Sequence, residues 1–89
     1  MAHYLICYDI ANPRRLARVH RYVVKHAHFV QLSVYYFQGN RSDLDSLLDE
    51  VRDRIDENYD DVRAYVVEPL SKALQVGCPW LPDGIGLYE

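Results

Sequence analysis

The sequence predicts an α+β domain in which two helices pack on one face of an antiparallel sheet. Short β-prone runs alternate with two stretches of helical periodicity, each apolar on one side, and no repeat or linker interrupts the 89 residues. The order is strand, helix, β segment, helix, strand, which is typical of a ferredoxin-like sandwich (βαββαβ). We expect one domain over residues 1–89, with a core at about 3–68 and a tail at 69–89 for dimer or partner contacts.

The first predicted strand is an apolar and aromatic run from Tyr4 to Tyr8 that stops at the carboxylate of Asp9. Asn12 and Pro13 follow as a helix N-cap and a proline at the first helical position. Asp9 is therefore expected at the C-terminal end of a central strand, beside a helix N-terminus. An aspartate here has two interpretations, a residue that ends the strand by bonding loop amides or a functional carboxylate.

Helical periodicity runs from Pro13 to about His26. The residues expected to face the core are Leu16, Val19, His20, Val23 and Ala27. A stripe of positive charge on the opposite side contains Arg14, Arg18, Arg21 and Lys25. No acid interrupts this stripe, so it is either a solvated surface or a contact for phosphate groups.

Residues 29–38 are strongly β-prone and form either one long strand or two short ones with a bend near Ser33. Ser42 is the predicted N-cap of the second helix, with Asp43 and Asp45 in its first turn. The apolar stripe of this helix contains Leu44, Leu47, Leu48, Val51 and Ile55.

The last strand of the predicted core runs from Val62 to Glu68 and alternates, with Val62, Ala64 and Val66 on one side. Residues 85–88 are expected to add a C-terminal edge strand.

The charge is distributed unevenly along the chain. Residues 1–41 contain six arginines and lysines against Asp9 alone, whereas residues 42–89 contain four against 12 acids. The basic part of the molecule is therefore local and suits a nucleic-acid partner despite the net charge of −3. Cys7 and Cys78 lack metal or redox spacing, and no transmembrane or signal pattern occurs, which predicts a cytoplasmic protein with reduced thiols and no membrane partner.

Three segments in order resemble the small CRISPR-associated Cas2 proteins over roughly residues 3–68. They are Tyr8-Asp9-Ile10, Arg14-Arg15 and Gln31-Leu32-Ser33-Val34-Tyr35. The resemblance implies a ferredoxin-like homodimer in CRISPR spacer acquisition (adaptation) that bridges two dimers of the Cas1 integrase and holds duplex DNA. It also implies a magnesium-dependent endonuclease activity on RNA, including single-stranded RNA, or on double-stranded DNA.

The same resemblance implies site residues. The strand-end aspartate of the family corresponds to Asp9 and the tyrosine before it to Tyr8, which are the implied catalytic residues. The implied nucleic-acid-binding residues are Arg14 and Arg15 at the helix start and Gln31 and Ser33 in the β segment. The family has a phenylalanine shortly after that serine, and here Tyr35 or Phe37 takes its place.

The residues themselves set a condition on the metal. Mg²⁺ is usually held by one or two carboxylates and several waters, and Asp9 is the only acid in the first 42 residues. We therefore expect one Mg²⁺ or Mn²⁺ ion shared between the two Asp9 carboxylates of a two-fold dimer. Arg14, Arg15 and Arg18 would position the phosphodiester, with Arg21 and Lys25 extending the basic surface.

Other functions remain open from the sequence. One is a DNA-holding scaffold without catalysis, in which Asp9 is only a loop residue. Another is a nuclease of the His-hydrophobe-His type, for which His26-Ala27-His28 supplies the histidines, although that motif normally lies on a central strand. A small-molecule regulatory domain lacks a glycine-rich loop here, and an RNA-recognition domain lacks its glycine-aromatic motif.

Overall fold

The computed structural model describes residues 1–69. Its elements are β1 (Ala2–Asp9), α1 (Pro13–Val23), β2 (His28–Gln31), β3 (Val34–Gly39), α2 (Arg41–Arg52) and β4 (Asp61–Val66). The four strands form one antiparallel sheet in the order β2-β3-β1-β4. The predicted ferredoxin-like α+β architecture is confirmed, and none of the described helices has the length and apolar character needed to cross a membrane.

β1 lies in the middle of the sheet because it pairs with β3 on one side and β4 on the other. Its side chains alternate, so Tyr4, Ile6 and Tyr8 are buried against the helices. The rest of this core is built from Val19, Val23, Tyr35, Phe37, Leu44, Leu47 and Val51. Leu5 and Asp9 project from the opposite face, which neither helix covers and which we call the helix-free face.

α1 begins as predicted. The side chain of Asn12 accepts hydrogen bonds from the backbone amides of Arg14 and Arg15 at 2.9 and 3.1 Å. The helix ends at Val23, earlier than the predicted His26. After Val23 the hydrogen bonding changes to the tighter i to i+3 pattern, since the His26 amide donates to the Val23 carbonyl at 3.0 Å.

The β-prone segment forms two strands. The turn between them places Leu32 at 85% exposure and Ser33 at a positive φ of 62°. A positive φ is typical of the tight turns that join two antiparallel strands. The pairing of β2 with β3 is irregular between Phe29 and Gln31.

The predicted N-cap of α2 was wrong. The helix starts at Arg41, and the side chain of Asn40 accepts a hydrogen bond from the Asp43 amide at 2.8 Å, while Asp43 accepts one from the Asn40 amide at 3.1 Å. This capping box satisfies both amides, so Ser42 lies inside the first turn. The predicted apolar stripe faces the core through Leu44, Leu47 and Val51.

β4 ends at Val66, two residues before the predicted Glu68. Val62, Ala64 and Val66 pair with Tyr8, Ile6 and Tyr4 and so share one side of the strand, as predicted. Val62 and Ala64 pack against the core, whereas Val66 at the strand end is 79% exposed. The predicted edge strand at residues 85–88 and the contacts of the tail lie outside the described residues, as does Cys78.

Candidate functional site

Two carboxylates lie side by side at the C-terminal end of β1. Asp9 ends this strand, Asp61 begins β4, and the two residues are direct partners across the antiparallel pair. Both are exposed. Directly opposed residues have Cβ atoms about 4.5–5.5 Å apart, and they point to the same face of the sheet. Asp9 is therefore not the only acid at this place in one chain, as the sequence suggested, because the register adds Asp61.

Arg63 belongs to the same group. Its Nε donates a hydrogen bond to Oδ2 of Asp61 at 2.8 Å, and its side chain is 65% exposed. Hydrogen bonds with Tyr65 and then Asp61 raise the pKa of this guanidinium. We call Asp9, Asp61 and Arg63 the open-face group.

Asp60, which precedes Asp61 in the chain, is buried and has a structural role. The guanidinium of Arg15 donates to its carboxylate twice, from Nε at 2.7 Å and from Nη2 at 3.0 Å. The backbone amides of Ala11 and Asp56 donate to it as well, each at 2.9 Å. These bonds, with Arg15 first, hold the pKa of Asp60 well below its usual range. Asp60 is thus a fixed anion that ties the loop after β1 to the loop before β4.

The contact with Asp60 bears on the predicted role of Arg15. The bidentate pair uses two of its donor groups, and the Arg15 side chain keeps only 25% exposure. Arg14, its neighbour, is exposed. Phosphate binding by either arginine stays a prediction, with Arg14 the more accessible of the two.

Tyr8 and Asp9 point to opposite faces of the sheet. Tyr8 is 6% exposed and stacks on Tyr35 with 5.9 Å between ring centroids. Burial and a hydrogen bond with Tyr35, which favours the protonated hydroxyl, raise the pKa of Tyr8. Tyr35 in turn shares a hydrogen bond with Nδ1 of His20 at 2.5 Å, so His20 reaches the core through its ring although the residue is exposed. The structure therefore does not bring the Tyr8 hydroxyl to the Asp9 carboxylate.

The turn between β2 and β3 lies beside the end of β1. The carbonyl of Ser33 accepts a hydrogen bond from the Tyr8 amide at 3.1 Å. Gln31, at the end of β2, is exposed. Ser33 is therefore close to the strand end that carries Asp9, whereas Gln31 pairs with Val34 and is separated from β1 by β3. Contact of either residue with nucleic acid stays a prediction.

The basic stripe of α1 borders a groove of about 500 Å³. Three predicted residues line it, Arg18, Arg21 and Lys25, together with Tyr22, Glu50, Asp53 and Arg54. The Arg54 guanidinium lies 4.5 Å from the centre of the Tyr22 ring and pairs with Glu50 at 3.0 Å. Sequence periodicity found the α1 cations, whereas Arg54 reaches the groove only through helix packing.

The two histidines of the rival motif do not lie on a central strand. His26 is in the turn after α1, where its ring lies tilted against the Tyr22 ring with 4.5 Å between centroids. His28 begins β2, an outer strand of the described sheet. This placement argues against the His-hydrophobe-His alternative.

Comparisons with known proteins show the family and the fold. The model of the family "CRISPR associated protein Cas2" matches residues 1–72. The chain is 40% identical to CRISPR-associated endoribonuclease Cas2 1 of Nitrosomonas europaea, over 96% of this chain and 81% of that one. It is 36% identical to CRISPR-associated endoribonuclease Cas2 2 of Thermodesulfovibrio yellowstonii, over 96% and 94%.

Among solved structures, Streptococcus pyogenes Cas2 superimposes with a TM-score of 0.73 and 23% identity, covering 84% of this chain and 99% of that one. At that identity the match shows a shared fold. The family match and the two curated relatives go further: this chain belongs to the CRISPR-associated Cas2 family.

Proposed function

We propose that this protein is a metal-dependent endonuclease of CRISPR spacer acquisition that works as a homodimer and hydrolyses RNA phosphodiester bonds through Asp9. The observation that carries the proposal is the position of Asp9, an exposed carboxylate on the helix-free face with a second carboxylate, Asp61, opposite it. Two relatives are named CRISPR-associated endoribonucleases, which favours RNA as the substrate over double-stranded DNA.

The donor groups suit Mg²⁺ or Mn²⁺. Carboxylate oxygens are the ligands that these hard cations prefer. Residues 1–69 contain no group of three or more acidic, histidine or cysteine ligands, so one chain offers at most a sparse site. Two Asp9 carboxylates, one from each protomer, would hold the ion, with waters completing the coordination. When bound, the metal supplies an activated water and stabilises charge on the phosphate.

The homodimer is supported by the surface around Asp9. Leu5, Cys7 and Val34 lie on the helix-free face and are only half-buried, and Tyr65 on the same face is 48% exposed. A face of this kind is suited to an isologous contact, which repeats the same residues on both protomers. A two-fold axis passing near the strand ends would bring the two Asp9 residues together.

Nucleic acid would also be held on the helix side. The groove that Arg18, Arg21, Lys25 and Arg54 line presents four cations against two acids, and Tyr22 adds an aromatic ring. Arginine and lysine contacts to phosphates position a nucleic acid without reading its sequence. This surface suits the proposed role in spacer acquisition, in which the dimer holds duplex DNA between two dimers of the Cas1 integrase.

A scaffold without catalysis is the second candidate. It is favoured by the contacts of two residues in the family motif, since Tyr8 lies in the core and Arg15 is paired with Asp60. In that case Asp9 would only end its strand.

The deciding experiment is cleavage of labelled single-stranded RNA and duplex DNA with and without Mg²⁺, with binding measured in parallel. We expect Asp9→Ala to abolish cleavage and keep binding, and Asp49→Ala, an exposed acid on α2, to behave as wild type. Binding without any cleavage would leave the scaffold function. Equal cleavage by wild type and Asp9→Ala would overturn the proposed role of Asp9.

A further inference from the structure

Arg63 has a position that no other arginine or lysine of residues 1–69 shares, because it is the only one located in a strand. It pairs with Cys7 across β1 and β4, one alternation away from the Asp9–Asp61 pair. Residues two apart on a strand point to the same face, so Arg63 projects from the helix-free face with both carboxylates. The basic stripe, by contrast, lies on α1, which packs on the other face.

The paired carboxylates of Asp9 and Asp61 need a nearby positive charge if a phosphodiester is to approach them. Two carboxylates directly opposite each other repel, and together they also repel a phosphodiester. Arg63 diminishes this repulsion by its ion pair with Asp61 at 2.8 Å. Asp9 is the diagonal neighbour of Arg63 on the adjacent strand. Such neighbours have Cα atoms about 7–8 Å apart, which is within the reach of an arginine side chain.

The guanidinium keeps donors for a further partner. An arginine has five N–H donors in a planar fork. The bond to Asp61 uses Nε and Tyr65 takes a further hydrogen bond, so the other N–H groups of the fork stay available. In the single protomer the Arg63 side chain is 65% exposed, and it lies next to the strand end that carries Asp9, at the margin of the proposed dimer face. A planar fork of this kind matches two oxygens of a phosphate.

We propose that Arg63, held by its ion pair with Asp61, contacts the phosphodiester that is cut at Asp9. This inference rests on the proposed nuclease function and adds a substrate contact to it. Arg63 donates hydrogen bonds to the non-bridging phosphate oxygens and favours the charge that develops on them during hydrolysis.

Two measurements on the full chain test the role of Arg63. The first is the single-turnover rate of Mg²⁺-dependent RNA cleavage, and the second is the salt dependence of RNA binding in EDTA. The variants are Arg63→Ala, Arg63→Lys, Asp9→Ala and the control Arg52→Ala, which removes an equally exposed guanidinium from α2. Thermal melting is used to check that each variant is folded.

We expect Arg63→Ala to lower the cleavage rate at least about tenfold, with partial recovery when guanidinium ion is added. The slope of log affinity against log salt should fall by about 0.7, the value for one phosphate contact on a single strand. Arg63→Lys should keep the slope because it keeps the charge, and Arg52→Ala should change neither quantity.

The outcomes separate this inference from the proposed function. Cleavage lost in Asp9→Ala but unchanged in Arg63→Ala would overturn the role of Arg63 and leave the nuclease intact. The role of Arg63 would also be overturned if Arg63→Ala changed only the cleavage rate or only the salt slope of RNA binding. Equal changes of both quantities in Arg52→Ala would overturn it as well. Absence of cleavage by the wild type, or full cleavage by Asp9→Ala, would overturn the proposed function and this inference together.

Discussion

Arg15 and Asp60 form a bidentate ion pair, with Nε–Oδ2 and Nη2–Oδ1 distances of 2.7 and 3.0 Å. The pair connects residues 45 positions apart in the chain and joins the start of α1 to the loop before β4. The Asp60 carboxylate also accepts hydrogen bonds from the amides of Ala11 and Asp56. The contact therefore anchors the chain directly before Asp61, the first residue of β4.

Replacing Asp60 should destabilise the protein in a pH-dependent way. Asp60→Asn leaves Arg15 without its anion, and breaking a pair whose carboxylate is fully buried costs about 3 kcal/mol at pH 7. The pKa of Asp60 is lower in the folded state than its ordinary value of about 3.9, so this stabilisation is present above about pH 4 and is lost as the pH falls further.

Urea unfolding at pH 7, 5 and 3, followed by circular dichroism, measures this effect. The difference in the free energy of unfolding between wild type and Asp60→Asn should be largest at pH 7 and 5 and should be smaller at pH 3. The exposed Asp49→Asn serves as control and should change little. A difference that stays constant across this range would contradict the charge-based explanation.

Tyr8→Phe tests whether the Tyr8 hydroxyl takes part in catalysis. Phenylalanine keeps the stacking on Tyr35 and removes only a hydroxyl that bonds within the core. We therefore expect a loss of about 1 kcal/mol in the free energy of unfolding and RNA cleavage within about twofold of wild type. A folded Tyr8→Phe protein with no cleavage would instead assign the hydroxyl to the reaction.

The groove beside α1 should contribute to affinity through its charge. The double variant Arg21→Gln, Lys25→Gln should weaken duplex binding and lower the salt slope by about 1.8, since each phosphate contact contributes about 0.9. The control double variant Arg41→Gln, Arg52→Gln removes the same charge from α2, where each arginine pairs with an acid of its own helix. Fluorescence anisotropy at several salt concentrations measures both, and equal slopes for the two variants would contradict a local binding surface.

A charge on the helix-free face should disrupt the proposed homodimer. Leu5 is half-buried on that face beside Cys7, so Leu5→Asp would place a carboxylate inside the interface. Sedimentation velocity should show monomers for Leu5→Asp and dimers for Val24→Asp, whose site at the end of α1 is 47% exposed. Persistence of the Leu5→Asp dimer would place the interface elsewhere.

The cap of α2 offers a direct test of a corrected prediction. Asn40→Ala removes the side chain that accepts the Asp43 amide and should cost about 1 kcal/mol. Ser42→Ala, inside the first turn, should change the free energy of unfolding by less than about 0.5 kcal/mol. The reverse order of the two effects in urea unfolding would restore Ser42 as the cap.

The sequence alone determined the order of helices and β segments, but it did not decide whether residues 29–38 form one strand or two. The apolar run of β1, the Asn12 cap and the cationic stripe of α1 depend on residues a few positions apart, and the periods of helices and strands make such patterns readable. Asp9 could be placed at a strand end for the same reason. The N-cap of α2 was missed because Asn40 and Ser42 are both good capping residues, and only the backbone geometry distinguishes them.

The tertiary structure decided which side chains meet. Asp61 lies opposite Asp9 only because β4 pairs with β1 in one register, and a shift by one residue would turn every side chain of β4 to the other face. The pairing of Arg15 with Asp60 and the stacking of Tyr8 on Tyr35 likewise join residues far apart in the chain. Local spacing carries no information on such contacts, because they are selected by the packing of the whole sheet against its helices.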